Sequence, residues 1–385
     1  MKKYLLLCSI LICSCFLQAQ WKITTEEFAK YKINYKMFTF AILSPKGDFA
    51  IGYELSDFEH KAKGLFYSLR VFYFKKNKTV EVKTAYLPIR FLVGIALAGN
   101  NKAVVVGNNG TLILTVDLKT MKVEKVFQHK KGVPGYKVES LVVQWAGRVY
   151  LNGYFYDETQ KFVSDHIVEL LLPNNKRPTV EFKKVIDYGA IIDKYEQQPG
   201  VLQVISGRVL YFVIAKPKKI KDPTGKERLI NSQQLICYKD GKFTVIAEGG
   251  IGNFAGTETK IYGSYLKNLG TKSMAWETNI KTINGSQKWN LGEKNVSYTY
   301  PFISENAQTV IFCTLNLRSQ SINIYYAREK DKYQTKVLYE DFPMGPMKIS
   351  GTGNAYLVTT PKYIEVDTFD NLEKRKAALF NDNLD

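Results

Sequence analysis

The sequence is poor in the residues that usually announce chemistry. It carries five cysteines and three histidines in 385 residues. Three of the cysteines, Cys8, Cys13 and Cys15, fall in the first twenty positions. A disulfide-built scaffold is therefore excluded, and stability must come from a core. Cys237 in LICYK and Cys313 in VIFCT stand in apolar, strand-like runs and are expected as buried free thiols. His60, His129 and His166 lie in the polar contexts FEHKAK, FQHKKG and VSDHIVE, none in a G-x-S-x-G elbow. Each reads as a surface residue; His166 beside Asp165 is the one to check for a polar pair. There is no H-E-x-x-H, no cysteine pair and no D-x-D-x-D-G loop. Acidic residues are few and mostly adjoin lysines. No Gly-rich phosphate loop is found, and GGIGNFAG (249–256) reads as a connection between repeats. Helical periodicity is nearly missing. TTEEFAKY (24–31) fits one or two turns capped by Thr24 or Thr25, and NLEKRKAALF (371–380) fits a helix capped by Asp370 or Asn371.

What is present begins with a leader. Lys2 and Lys3 precede an apolar run from Tyr4 to Phe16, and Leu17-Gln18-Ala19 ends in a small residue. This is the pattern of a secretory signal peptide over 1–19, cut after Ala19. A bilayer span needs about 20 apolar residues, and neither this run nor any later one is long enough. The expectation is an exported protein, periplasmic or extracellular; Ile12-Cys13-Ser14-Cys15 leaves a lipid anchor at Cys15 open. The formal charge is +18. Such a balance serves solubility or attracts an anionic partner. For an exported chain an envelope polyanion is preferred to nucleic acid, because no nucleic-acid motif accompanies the charge.

The stretch Ala96–Phe127 contains one complete unit of four strands: ALAG, AVVVG, TLILTVDL and MKVEKVF, separated by NNK, NNG and KT. Asn-Gly between β-rich runs is a strong hairpin signal. The first turn of this unit recurs near Asp48, Lys102, Arg148, Arg208, Lys260, Gln308 and Asn354, at spacings of 46 to 60 residues. A second turn family recurs in FKKNKTVEV, DLKTMKVEKV, YKDGKFTVI, NIKTINGSQKW and REKDKYQTKV. A lone four-stranded sheet with apolar inner strands cannot hide both faces, whereas sheets stacked radially can. The prediction is an all-β protein: a seven-bladed β-propeller of four-stranded antiparallel blades over 20–370, followed by a helix and tail over 371–385. The long third and fourth units leave six or eight blades open. A pair of β-sandwiches is the alternative architecture, but sandwiches do not repeat at this period. The last unit holds three strands, so a strand from the N-terminal region, YKINYK (31–36), is expected to close the ring.

VVVGNNGTLILTVDLKTMKVEKV resembles a blade of the pyrroloquinoline-quinone-dehydrogenase-like propellers. ILSPKGDFAIG resembles the Ser-Pro-Asp-Gly turn of tryptophan-aspartate-repeat and periplasmic Tol-type propellers. The resemblance covers most of the chain as blade grammar. It implies the fold and no cofactor: the docking tryptophan is mostly missing, with only Trp289 suitably placed, and no Trp-Asp pair ends the third strands.

One segment rises above this background. KPKKIKDPTGKER places Lys216, Lys218, Lys219, Lys221, Lys226 and Arg228 around an Asp222-Pro223-Thr224-Gly225 turn, with net charge +4. It is expected to join the second and third strands of the fourth blade, on the face that carries the blade-to-blade loops. Two readings follow. The first is a non-catalytic binding or scaffold propeller, monomeric, contacting a protein or anionic polysaccharide of the envelope through this basic face. The second is a propeller hydrolase or lyase, marked by three or more acids converging at the channel mouth to hold a metal or act as a carboxylate pair.

Overall fold

The computed structural model describes residues 21–381, apart from 146, 207, 222–224, 272 and 344. The expected leader with Cys8, Cys13 and Cys15 lies outside the described residues. Twenty-seven of the described strands form seven four-stranded blades, one of them serving two blades, and two more make a separate ribbon. All seven first-to-second turns fall where the repeat spacing put them, from 44–48 in blade 1 to 350–354 in blade 7. Blades 4 and 5 share one continuous strand, Lys242–Gly256. Its first part pairs with Gln233–Lys239 and its second part, from Gly250, with Lys260–Lys267. GGIGNFAG is therefore strand, not a loop between repeats. Gly249, at φ +124°, supplies the backbone turn by which the chain leaves one blade and enters the next.

The core explains why the blades exist only together. Seven apolar clusters are formed, and each joins two neighbouring blades. Val71, Leu87, Val105 and Leu114 knit blades 1 and 2; Val104, Ile113, Tyr136 and Leu151 knit blades 2 and 3. The series continues round to Ile324, Phe342, Tyr356 and Val358 between blades 6 and 7. Alternation in each inner strand sends successive side chains to opposite faces, so one strand feeds two clusters. The fourth strands face water on one side. Val123–Gln128 keeps Val123, Val126 and Phe127 half-buried and leaves Glu124, Lys125 and Gln128 exposed, and such charged side chains protect an outer edge from pairing with another chain.

The ring is closed by the two ends of the described chain. The strand that completes blade 7 is Trp21–Thr24, paired antiparallel with Tyr363–Thr368, with Trp21 opposite Val366 and Thr24 opposite Tyr363. This corrects the assignment of YKINYK. Residues 25–38 must carry the chain from the outermost strand of blade 7 to Thr39–Leu43, the innermost strand of blade 1, so they bend rather than pair. They do so as a helix, Thr25–Lys30, and a single 3-10 turn, Tyr35–Met37. Thr24 caps the helix and Glu27 reaches back to the Thr24 N–H at 2.8 Å, a reciprocal capping box. Phe28 is fully buried and gathers Tyr35, Phe38 and Phe72 at ring distances of 5.2, 5.7 and 5.6 Å.

Serine organises several first turns. Ser44 Oγ donates to Asp48 at 2.5 Å and accepts the N–H of Phe49, and Ser350 does the same for Asn354 and Ala355. Neighbouring turns then bond to each other: the Thr352 N–H donates to the Pro45 carbonyl, blade 7 onto blade 1, at 3.0 Å. The final helix is Phe369–Asn381, two residues longer at its start than expected. Its first turn is capped by Thr368, whose Oγ accepts the Asn371 N–H, in place of Asp370 or Asn371. It straps blade 6 to blade 7: Arg375 pairs with the fully buried Asp367 at 2.8 Å, and Arg328 with Asp370 at 2.7 Å. No helix among the described residues is long and apolar enough to cross a membrane.

Candidate functional site

In an antiparallel four-stranded blade, successive turns alternate between the two ends. First-to-second and third-to-fourth turns therefore share one face of the ring. Second-to-third connections share the opposite face with the blade-to-blade crossings. On that second face the basic segment forms its own two-stranded ribbon, Lys218–Lys221 paired with Glu227–Ile230, inserted between Val209–Ala215 and Gln233–Lys239 of blade 4. Its base is closed by the Lys216 N–H donating to the Ser232 carbonyl at 2.7 Å. Its tip, 222–224, lies outside the described residues. Lys216, Lys218, Lys219, Lys221, Lys226 and Arg228 are all exposed. Lys219 lies 3.7 Å from Glu227, both side chains well into solvent, a contact worth little there.

The ribbon is seated rather than free-standing. Ile220 and Ile230 are half-buried. A Cβ added to Gly270, in the matching connection of blade 5, would sit 2.5 Å from Ile220 Cδ1 and 3.2 Å from Ile230 Cγ2. One apolar edge of the ribbon thus rests on the neighbouring blade while the lysines stay in water, the division of labour that long cationic side chains permit. Two further helices occupy this face, and neither was anticipated from the sequence. Phe58–Ala62 is capped by Asp57 between the second and third strands of blade 1. Tyr188–Tyr195 is capped by Asp187 in the crossing from blade 3 to blade 4.

The axis of the ring holds a cavity of about 670 Å³. Every blade contributes to its wall, through residues such as Ile42, Ile95, Ser140, Leu202, Ala255, Phe302 and Ile349. Among the described residues of this wall, the ionisable side chains of ordinary acid or base character are Glu305 and Lys348. Lys348 lies on Met347–Ile349, the innermost strand of blade 7. Its Nζ stands 5.4 Å from the centroid of the Phe302 ring in blade 6. Burial pulls its pKa below the usual lysine range. Asn152, from the second strand of blade 3, reaches the same cavity beside a bulge at Glu139 that displaces Val138 from Ser140 in register. Among the described residues there is no group of three acids, histidines or cysteines placed to hold a metal ion, so the converging acids of the hydrolase reading are not found there.

The histidines are half-buried rather than simply exposed. His60 stacks on Tyr86 at 3.7 Å and contacts its helix cap Asp57. The His129 ring meets the Tyr156 hydroxyl. His166 and Asp165 alternate along one strand, so they do not form the polar pair the sequence suggested. Burial lowers the His166 pKa and raises that of Asp165. Cys237 and Cys313 are buried free thiols, as expected. Trp289, on the strand Lys288–Asn290 of blade 5, packs on Tyr333 of blade 6 at 5.1 Å.

No family model matches the chain, and no curated protein matches it in sequence. Solved structures do resemble it in shape. The β-propeller domain of Cps50 (Swd1) from Myceliophthora thermophila is 10% identical, with 86% of this chain and 94% of that one covered at a TM-score of 0.44. An uncharacterized protein of Listeria monocytogenes is 9% identical over 85% and 90%, at 0.49. The β-propeller domain of the Trilobed protease from Pyrococcus furiosus, described as having an open velcro topology, is 13% identical over 86% and 95%, at 0.46. The likeness is one of fold; by its own seven blades, stacked face to face around one axis, the chain is a β-propeller.

Proposed function

We propose that this is an exported, non-catalytic binding propeller that holds an acidic polysaccharide of the cell envelope against its basic ribbon. The observation that carries the reading is the ribbon itself: a separate two-stranded sheet outside the blades, seated on blade 5 by Ile220 and Ile230 and presenting its cations to solvent. A hairpin with no partner needs no such seat. Cations displayed on a fixed support lose less conformational freedom when a polyanion binds than cations on a floppy loop. The leader at 1–19 and the net charge of +18 support an envelope destination and an anionic partner. The test is retention on immobilised polygalacturonate against neutral dextran, for the natural protein and for one with 216–228 replaced by Gly-Ser. The reading expects retention on the acidic matrix alone, lost in the replacement. Equal retention of both proteins removes the ribbon from the account.

A further inference from the structure

The axial cavity contains two polar groups that the protein itself leaves unanswered. Lys348 is a half-buried ammonium that stands over the face of Phe302. An ammonium in such a place is costly without a counter-charge. Asn152, in blade 3, is only 8% exposed, and its Oδ1 meets no donor although the residue lines the same cavity. A buried acceptor with nothing to accept carries the full cost of its lost water. Folding does not require either group here. Ile95, Leu202 and Ile349 show that apolar side chains fill equivalent places on the wall. Glu305, the carboxylate of the same cavity, belongs to the turn that follows Thr299–Ile303, and its carboxyl carbon lies 3.1 Å from where a Cβ on Gly351 would stand, in the next blade's corresponding turn. The volume of about 670 Å³ suits a small organic molecule, and a mostly apolar wall with a few placed polar groups is the ordinary make-up of a ligand site.

We propose that the axial cavity binds a small hydroxylated organic anion, its carboxylate or phosphate set against the Lys348 ammonium and a hydroxyl donating to Asn152 Oδ1. The site is independent of the ribbon, being built from the second strand of blade 3 and the innermost strands of blades 6 and 7. Lys348 supplies affinity and the sign of the charge. Asn152 distinguishes a hydroxylated ligand from a bare alkyl acid, because an unhydroxylated acid offers Oδ1 no donor. Phe302 keeps bulk water from screening the charge contact.

The experiment uses the full mature chain and three probes: galacturonate, glycerol 3-phosphate and, as the neutral control, galactose. Binding is followed by calorimetry, and Lys348 is followed by reductive methylation with peptide mass spectrometry. One or both anions are expected to bind and to slow methylation of Lys348 at least about tenfold, with galactose inert. Lys348→Met is expected to abolish binding while remaining folded, since it removes a buried charge. Lys348→Arg is expected to retain binding, and Asn152→Leu to weaken it by about tenfold or more, the effect of one buried hydrogen bond. Replacement of 216–228 by Gly-Ser is expected to leave all of this unchanged, so failure of the ribbon reading and failure of this one are distinguishable. Protection by galacturonate alone assigns a carboxylate site, and by glycerol 3-phosphate alone a phosphate site. Protection by neither at millimolar concentration, equal protection by galactose, or unimpaired binding by Lys348→Met overturns the proposal.

Discussion

Cutting the ring open at its seam tests whether the blades hold one another up. Trp21 and Ile23 are 8% and 3% exposed and enter the cluster that joins blade 7 to blade 1, alongside Phe40, Phe72, Ile364 and Val366. The Trp21 indole N–H also donates to the Lys75 carbonyl of blade 1 at 2.8 Å, and its ring lies 5.3 Å from Phe74. Truncating a buried tryptophan costs about 3–5 kcal/mol and a buried isoleucine about 2–5. The two share neighbours, so their costs do not simply add; about 5 kcal/mol is a fair floor for the double variant Trp21→Ala/Ile23→Ala. That is a large part of the roughly 5–15 kcal/mol by which a typical protein is stable. Hydrogen exchange then has a definite pattern to report. Amides of Tyr363–Val366 and of Thr39–Leu43 should lose protection first and most, by roughly three to four orders of magnitude. Amides beside Tyr150, Ile167 and Leu210, between blades 3 and 4 and far from the seam, should lose protection only to the extent that global stability falls. A loss below about 1 kcal/mol, or equal loss of protection everywhere, would refute the seam as the place where the ring is locked.

Two further outcomes follow from the packing. Gly47 has φ +74°, and an added Cβ would lie 2.5 Å from the Ala355 Cβ of blade 7. Gly47→Val combines a disfavoured backbone with a clash across the same seam and should cost about 2–4 kcal/mol, read as a lower denaturant midpoint at unchanged slope. Burial raises the Cys237 pKa to about 11 and that of Cys313 to about 12, from an ordinary 9.0. In the unfolded chain these thiols ionise near pH 9 while in the fold they keep their protons. The native state is therefore favoured below that pH and loses about 1.4 kcal/mol per thiol per unit as pH climbs from 9 towards 11. Both thiols should resist a disulfide reagent at neutral pH and react together once denaturant is added; Cys237→Ser and Cys313→Ser should each flatten the alkaline loss.

Much of the architecture was legible because it repeats. Gly147-Arg148-Val149 and Gly207-Arg208-Val209 announce the same turn in consecutive blades, and Ser44 and Ser350 do so for blades 1 and 7. The closing strand was harder. YKINYK and WKIT alternate alike, and what separates them is the distance the chain must travel from one end of the sheet to the start of the next, which no local pattern records. Helix Tyr188–Tyr195 did leave a signal, with Asp187 as cap and Ile191 as its buried residue, but it is short and sits between strands. The ribbon was legible in charge and its place in the blade could be counted. Its seat on Gly270 could not, being a contact between loops of two blades. Lys348 left a faint trace, as a lysine in a strand that has to line the axis. Asn152 left none, because it lies on a second strand, and strand order alone assigns the axis to the innermost strands.

The binding account turns on charge, and charge can be screened. The Debye length falls from about 10 Å at 0.1 M salt to about 3 Å at 1 M. The decisive measurement is the affinity for polygalacturonate as a function of salt, for the natural protein and for a variant with Lys216, Lys218, Lys219, Lys221, Lys226 and Arg228 all changed to glutamine. A steep fall in affinity with salt for the natural protein, and a weak, nearly flat dependence for the variant at equal thermal stability, is the predicted result. Matching curves for the two proteins would contradict it.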